Sequence, residues 1–293
     1  MIKSKQEKRF QFLSHAVMIF VCIMTVVPFL IMISSSFSEE TQILAKGYSL
    51  LPRGFSLDAY TYIFENAAVV FRAYGVTILV TAVGTTVSLI ITNMFAYVLA
   101  QEGVPLVRIM MFLVVFSMLF NGGLVPTYYV YTQFFQVKDT LLALIVPTLL
   151  MSAFNLILVR NYFRTSIPPA LIDSAKIDGC SKFRTYTKIV LPLSLPITAT
   201  IGLLTGLAYW NDWQNGLYYM TGSKFHSIQQ VLRLMVNNVS YLQQAGAHVE
   251  SMQIPMTTIR MAIAVIAILP VLIVYPFFQK YFVKGITIGA VKE

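Results

Sequence analysis

The sequence predicts an all-α membrane protein of six transmembrane helices with both termini in the cytosol, and three observations carry that expectation. Of 293 residues, 57% are apolar and only 11% are charged, far less charge than a soluble domain of that size needs on its surface. The apolar residues fall in blocks of about eighteen or more nearly uncharged positions, long enough at 1.5 Å rise per residue to cross a hydrocarbon core of ~30 Å. The remaining charges are shared unequally between alternate sides of those blocks.

The blocks run over 14–36, 73–99, 106–132, 140–161, 191–210 and 257–281. The first has no small-x-small cleavage site after His15 to Ile33 and holds Pro28, so it is expected as a retained span behind a cytoplasmic segment, 1–13. The second is uninterrupted and carries one amide, Asn93. In the third, Asn121-Gly122-Gly123 and Pro126 predict a helix that stops near Phe120. Irregular backbone at membrane depth survives only where protein or water satisfies its polar groups. The fourth carries Asn155, and the fifth carries Gly202 and Gly206 at a spacing that permits close helix approach. An amide in lipid costs free energy, so Asn93 and Asn155 are expected to face protein or a water-filled path; helix packing is the first reading, the translocation path the second. The sixth block precedes a tail, 282–293.

The side holding both termini carries Lys3, Lys5, Lys8, Arg9, Arg108, Arg160, Arg164, Lys176, Lys182, Arg184, Lys188, Lys280, Lys284 and Lys292, against Glu7, Glu102, Asp173, Asp178 and Glu293. On the other side Lys46, Arg53, Arg72, Lys138, Lys224, Arg233 and Arg260 are balanced by seven acids. The whole net charge of +9 therefore falls on one side. Basic loops stay cytoplasmic. The basicity reflects topology and excludes a nucleic-acid partner. Cys22 and Cys180 are placed too differently for a disulfide, and their spacing fits no metal site.

Between the fourth and fifth blocks lies a basic island, 162–190. Pro168-Pro169 suit the first turn of a helix, Asp173 and Lys176 are spaced to pair at i, i+3, and Gly179 sits where a left-handed cap would end it. Ser181 is placed to cap a second helix carrying Phe183, Tyr186, Ile189 and Val190 on one stripe, which Pro192 would end. Such an amphipathic loop suits anionic lipid headgroups; a helix-Gly-helix construction equally suits a shaped protein cleft.

The run Asp173-Ser174-Ala175-Lys176-Ile177-Asp178-Gly179, with Phe183 and the later Ile189-Val190-Leu191-Pro192, resembles the EAA motif of membrane subunits of bacterial ABC importers. Asp173 replaces the usual Glu with a shorter arm of the same charge, and Ser174 replaces the first Ala at similar volume. Leu51 to Tyr60 resembles the extracytoplasmic segment of the carbohydrate-uptake, maltose-type permeases. Asn121 to Tyr128 and the end from Pro276 to Lys292 resemble a subgroup importing complex or acidic oligosaccharides, compatible with a permease of an alginate importer.

The resemblance implies an ABC type I importer permease fold in the bacterial inner membrane and a non-catalytic, coupling subunit. The implied partners are a second homologous permease, two cytosolic ATPase subunits and an extracytoplasmic sugar-binding protein. Ile177 and Phe183 would be apolar anchors in a groove of the ATPase; Asp173 and Asp178 would pair or accept hydrogen bonds, Ser174 and Ala175 would supply small volume, and Gly179 the turn. The chain holds no cofactor of its own. It has no phosphate-cradling G-x-x-x-x-G-K-[ST] run, so ATP and Mg would be bound by the partner.

The long loop 211–256 and its approach contain Trp210, Asn211, Asp212, Trp213, Tyr218 and Tyr219. These aromatics suit an interfacial belt; with the amides they equally suit contact with a binding protein or its sugar. Three rivals differ in kind. A secondary transporter needs buried ionisable residues or paired broken helices for ion coupling, and the blocks hold almost no acids. An intramembrane enzyme needs a nucleophile and base or a metal constellation, yet His15, His226 and His248 are scattered and no H-E-x-x-H occurs. A structural subunit of another complex would need no coupling surface at all.

Overall fold

A computed structural model describes residues 5–65, 67–244 and 255–290, and they form an all-α chain with one isolated antiparallel bridge, Ser38 to Phe55. The first residues of the expected N-terminal segment, the centre of the 211–256 loop and the end of the tail lie outside the described residues. The chain divides into two units, Met1–Val70 with Leu234–Pro270, and Phe71–Arg233 with Val271–Glu293.

In the first unit α1 (Lys5–Ser36) is a continuous helix whose apolar side chains are exposed along its length. Two short helices follow, α2 (Glu40–Lys46) and α3 (Asp58–Phe64). Phe37 stacks on Phe55 and on Tyr60, with ring centroids 6.0 and 4.9 Å away, and the Tyr60 hydroxyl lies 2.8 Å from Ser36 Oγ. The last helix, α15 (Met256–Ala290), starts in this unit and runs through the tail region. Its first turn is held by Glu40, whose two carboxylate oxygens accept the N–H groups of Thr257 and Thr258 at 2.9 and 2.8 Å. A carboxylate there satisfies orphan donors and complements the helix dipole.

The second unit is built around α4 (Ala67–Ala100) and α12 (Leu195–Trp210). Between them in sequence come α5 (Pro105–Leu119), α6 (Leu124–Tyr129, continued by a π turn over Val130–Phe134), α7 (Leu142–Ile145), α8 (Ala153–Ser166), α9 (Pro169–Ile177), α10 (Lys182–Thr185, continued by a π turn over Tyr186–Val190) and α11 (Leu191–Leu193). After α12 lie α13 (Gln214–Tyr219), a 3₁₀ turn (Ser223–Phe225) and α14 (Ile228–Gln244). One apolar cluster joins Ala96, Leu99, Leu156, Val159, Phe163, Tyr186, Val190 and Ile201. A second joins Val80, Ala143, Leu144, Tyr209, Tyr219 and Met220.

The six-span expectation does not survive. Among the described residues three helices are long and apolar enough to cross a membrane, Arg9–Ser36, Ala67–Ala100 and Met256–Pro276. The count reaches five only if each of two bent pairs is one span: Pro105–Leu119 with Leu124–Phe134, at 116°, and Lys182–Leu193 with Leu195–Trp210, at 79°. The fourth block fails outright. Its helix breaks after Ile145, where Pro147 is followed by Thr148 at φ 63°, and restarts at Ala153 behind the Ser152 cap. The fifth block bends at Ser194, just past Pro192, which lacks an N–H for the carbonyl four residues back; the turn before it is wound as π. Placing both termini on one side requires an even number of spans, so that expectation falls with the six.

Candidate functional site

The island folds as its local spacing predicts. Pro169 opens α9, and Lys176 Nζ pairs with Asp173 Oδ1 at 2.9 Å. The carboxylate holds the Lys176 ammonium pKa above its ordinary value, first through the hydrogen bond and then through charge. Gly179 lies at φ 71°. Its N–H donates to Lys176 O at 3.1 Å, and that of Cys180 donates to Ala175 O at 2.9 Å, the paired bonds of a Schellman turn. Ser181 Oγ then accepts the Arg184 N–H at 3.3 Å. Ala175 is buried, whereas Ile177 and Phe183 are 87% and 67% exposed, one on each side of the turn. Asp173, Ser174 and Asp178 are also solvent-facing.

Residues outside the motif fasten this island to the C-terminal end of α4. Tyr97 packs against Tyr186, rings tilted and centroids 5.2 Å apart, and its hydroxyl donates to Lys182 O at 3.3 Å. Arg160 Nε donates to Leu99 O at 3.3 Å, and Arg164 pairs with Glu102 at 2.6 Å. With Phe163, Tyr186 and Val190 buried in the same cluster, the island is held on α4, α8 and α12 rather than hanging as a free loop.

Asn93 and Asn155 both tie helices together. Asn93 is 2% exposed, donates to Leu89 O at 2.8 Å and accepts from Thr198 Oγ1 at 3.2 Å. Asn155 Nδ2 donates to Thr205 Oγ1 at 3.4 Å. The α4–α12 contact is close throughout: a Cβ at Gly84 would sit 2.5 Å from the Tyr209 ring, one at Gly202 3.2 Å from Leu89, and one at Gly206 3.5 Å from Thr85. Tyr209 continues the tie to α7 by donating to Ile145 O at 2.8 Å.

At the far end of α12, Trp210 packs against Tyr74 with centroids 6.3 Å apart, and the Asn211 side chain donates back to Leu207 O at 2.9 Å. Asp212 Oδ1 accepts the N–H groups of Gln214 and Asn215 at 3.1 and 3.2 Å; burial pushes its carboxyl pKa up, and those donors oppose the rise. The Arg233 guanidinium lies 3.9 Å over the Trp213 ring. Tyr219 is buried and stacks on Tyr128 at 5.6 Å, while Tyr218 is half-buried. Asp139, also unforeseen, binds this loop: it accepts the Thr221 hydroxyl and the N–H groups of Thr221 and Gly222, the last two at 2.6 and 3.0 Å. Those bonds, the hydroxyl first, lower its pKa to about 2. No spacing rule relates residues 82 apart.

A family model described as "Binding-protein-dependent transport system inner membrane component" matches residues 6–288. The chain is 40% identical over 288 residues to the polygalacturonan/rhamnogalacturonan transport system permease protein YtcP of Bacillus subtilis, covering 98% of this chain and 99% of that one. It is 41% identical over 268 residues to Protein LplC of the same organism, covering 92% and 90% of the two chains. A chain from the crystal structure of a bacterial ABC transporter involved in the import of the acidic polysaccharide alginate superposes with a TM-score of 0.82 at 26% identity, covering 96% of this chain and 99% of that one.

Proposed function

Because this chain belongs to the family of inner membrane components of binding-protein-dependent transport systems, we propose that it couples oligosaccharide import to ATP hydrolysis on a separate polypeptide. It is a non-catalytic, multi-pass permease subunit of the inner membrane. The cargo proposed is an oligosaccharide, and an acidic one is favoured by relatives named for polygalacturonan and for alginate. The partners proposed are a second permease, a pair of ATPase subunits that bind ATP and Mg, and an extracytoplasmic sugar-binding protein.

The observation that carries the coupling role is the Schellman turn at Gly179, with Ile177 and Phe183 displayed on either side of it. Ile177 and Phe183, within a motif that resembles the coupling segment of such permeases, are the apolar anchors proposed to enter the ATPase groove. Motion passes from an ATPase to the membrane helices only if the docked surface and those helices move as one body. The ties from Tyr97, Arg160 and Arg164 support this. Asp173 and Ser174, where the usual motif has Glu and Ala, would meet a matching ATPase groove.

The test uses Gly179→Pro, Asp173→Lys and Ile177→Asp in the assembled complex. Proline cannot adopt φ near +71° and lacks the N–H that Gly179 donates. The Asp173–Lys176 pair is solvent-exposed and adds little stability, so Asp173→Lys reports on docking rather than folding. All three should insert in the membrane yet lose ATP-driven sugar uptake. Full uptake in all three would sink the coupling role.

A further inference from the structure

The second unit contains a polar pocket of about 250 Å³ away from the island, where the bend between α5 and α6 meets α13. Its polar lining comes from Asn121, Thr127, Gln214, Asn215, Tyr218 and Tyr219, without a carboxylate, amine, guanidinium or imidazole. Metal ions are held by charged or imidazole side chains, and none of these lines the pocket. Amides and phenols facing a cavity match hydroxyls, and aromatic walls match the apolar face of a sugar ring.

The walls are held in place by bonds of their own. Asn121 Oδ1 accepts the Gly123 N–H at 2.8 Å, and Asn215, 4% exposed, donates to Pro147 O at 3.1 Å. Thr148, in the left-handed region at φ 63°, forms part of the rim. A non-glycine residue in that conformation persists only where its surroundings over-determine it, as they commonly do at binding sites. Tyr219 is fixed by stacking on Tyr128. Gln214, by contrast, is exposed and Tyr218 half-exposed, leaving an amide and a phenol at the mouth to meet a ligand.

We infer that this pocket is a subsite for a single sugar ring, recognised by its hydroxyls and not by charge. It is smaller than the ~300–1,000 Å³ typical of drug-sized ligands, so one ring fits and a longer chain would extend outward. The assignment rests on the proposed role in oligosaccharide import. It deepens that role by placing a substrate contact on this subunit, at Asn121, Thr127 and Gln214 as well as at Tyr218 and Tyr219. If the cargo is acidic, its carboxylates are read elsewhere in the complex.

The probes are galactobiose and digalacturonate, which share ring hydroxyls and differ in carrying carboxylates. Saturation-transfer NMR on the assembled, detergent-solubilised complex without its binding protein should show ring-proton signals from both. A neutral hydrogen bond is worth roughly a two- to tenfold change in binding, so Gln214→Ala and Tyr218→Phe should each weaken both probes by about that factor. Gln133→Ala, exposed but outside the pocket, should leave them unchanged. No signal with the parent complex, or binding unaltered by both pocket substitutions, overturns the subsite. Weakening of digalacturonate alone overturns its indifference to charge. ATP-driven uptake of the natural oligosaccharide by the same complex separates the two readings: its absence defeats the permease role, whereas uptake without binding at the pocket defeats only the subsite.

Discussion

The two ends of the α4–α12 pair present opposite chemistry. At one end the island displays two exposed apolar knobs among charges, on a frame fastened by Tyr97, Arg160 and Arg164. At the other, loops after α5 and α12 surround a pocket of uncharged amides and phenols. The first is suited to a rigid, grooved protein partner, where buried anchors and a polar rim give affinity. The second is suited to a small hydroxyl-rich ligand, where convergent polar groups give orientation. The 16-residue α12, about 24 Å long, separates them, so any mechanical communication between the ends depends on how tightly α4 and α12 hold each other.

The largest effect should therefore come from the seam. A Cβ at Gly84 would sit 2.5 to 2.8 Å from three atoms of the Tyr209 ring. Gly84→Leu should destabilise by at least the ~1–3 kcal/mol of ordinary overpacking and should damage both ends together. Thermal melting of the purified complex checks this. Gly84→Ala should also melt lower, and adding Tyr209→Ala should recover part of that loss as a non-additive pair. A Gly84→Ala protein that melts with the parent would mean the close approach is dispensable.

A smaller loss is expected from Tyr209→Phe, which leaves the buried Ile145 carbonyl without its donor and should cost about 1–3 kcal/mol. Asn93→Leu and Asn155→Leu should cost less, near the ~0.6 kcal/mol average and within the ~1.7 kcal/mol maximum measured for hydrogen bonds between membrane helices. These two variants also decide between roles. If the amides only tie helices, melting falls while the apparent KM for sugar stays constant; a raised KM with unchanged melting would put them in the translocation path.

Much of the island was legible because its rules are local. The Asp173–Lys176 pair, the left-handed Gly179 and the Ser181 cap each follow from separations of three or four residues. The span count was not, since hydropathy registers composition and is blind to bends at Thr148 or Ser194. Nor were partners distant in sequence. Glu40 reaches α15 across 217 residues, and nothing in its surroundings distinguishes it from a solvated acid. Asn93 and Asn155 were readable as groups needing protein or water, but Thr198 and Thr205 emerge as their partners only once α12 is packed. The pocket was half visible: Tyr218 and Tyr219 stood out as aromatics, whereas Asn121 and Gln214 belong to it only through the bend between α5 and α6.

The smallest predicted effect lies at the pocket end and turns on Asp139, whose carboxylate holds the Thr221–Gly222 backbone in place. Its pKa falls from the ordinary 3.8 to about 2 because three donors favour the charged form. A carboxyl whose folded pKa is depressed stabilises fully above the unfolded value and loses that contribution as pH falls through the folded one. The support should thus begin to fall at about pH 4 and be lost as pH drops through about 2. Amide exchange at Thr221 and Gly222, referred to their intrinsic rates, should lose protection across that window in the parent. Asp139→Asn keeps an acceptor without the charge, so it should start less protected and show no step. Because the knobs at Ile177 and Phe183 have no part in this contact, exchange in the island should not follow the same titration; a shared step would mean that the two ends are coupled more tightly than their separate chemistry implies.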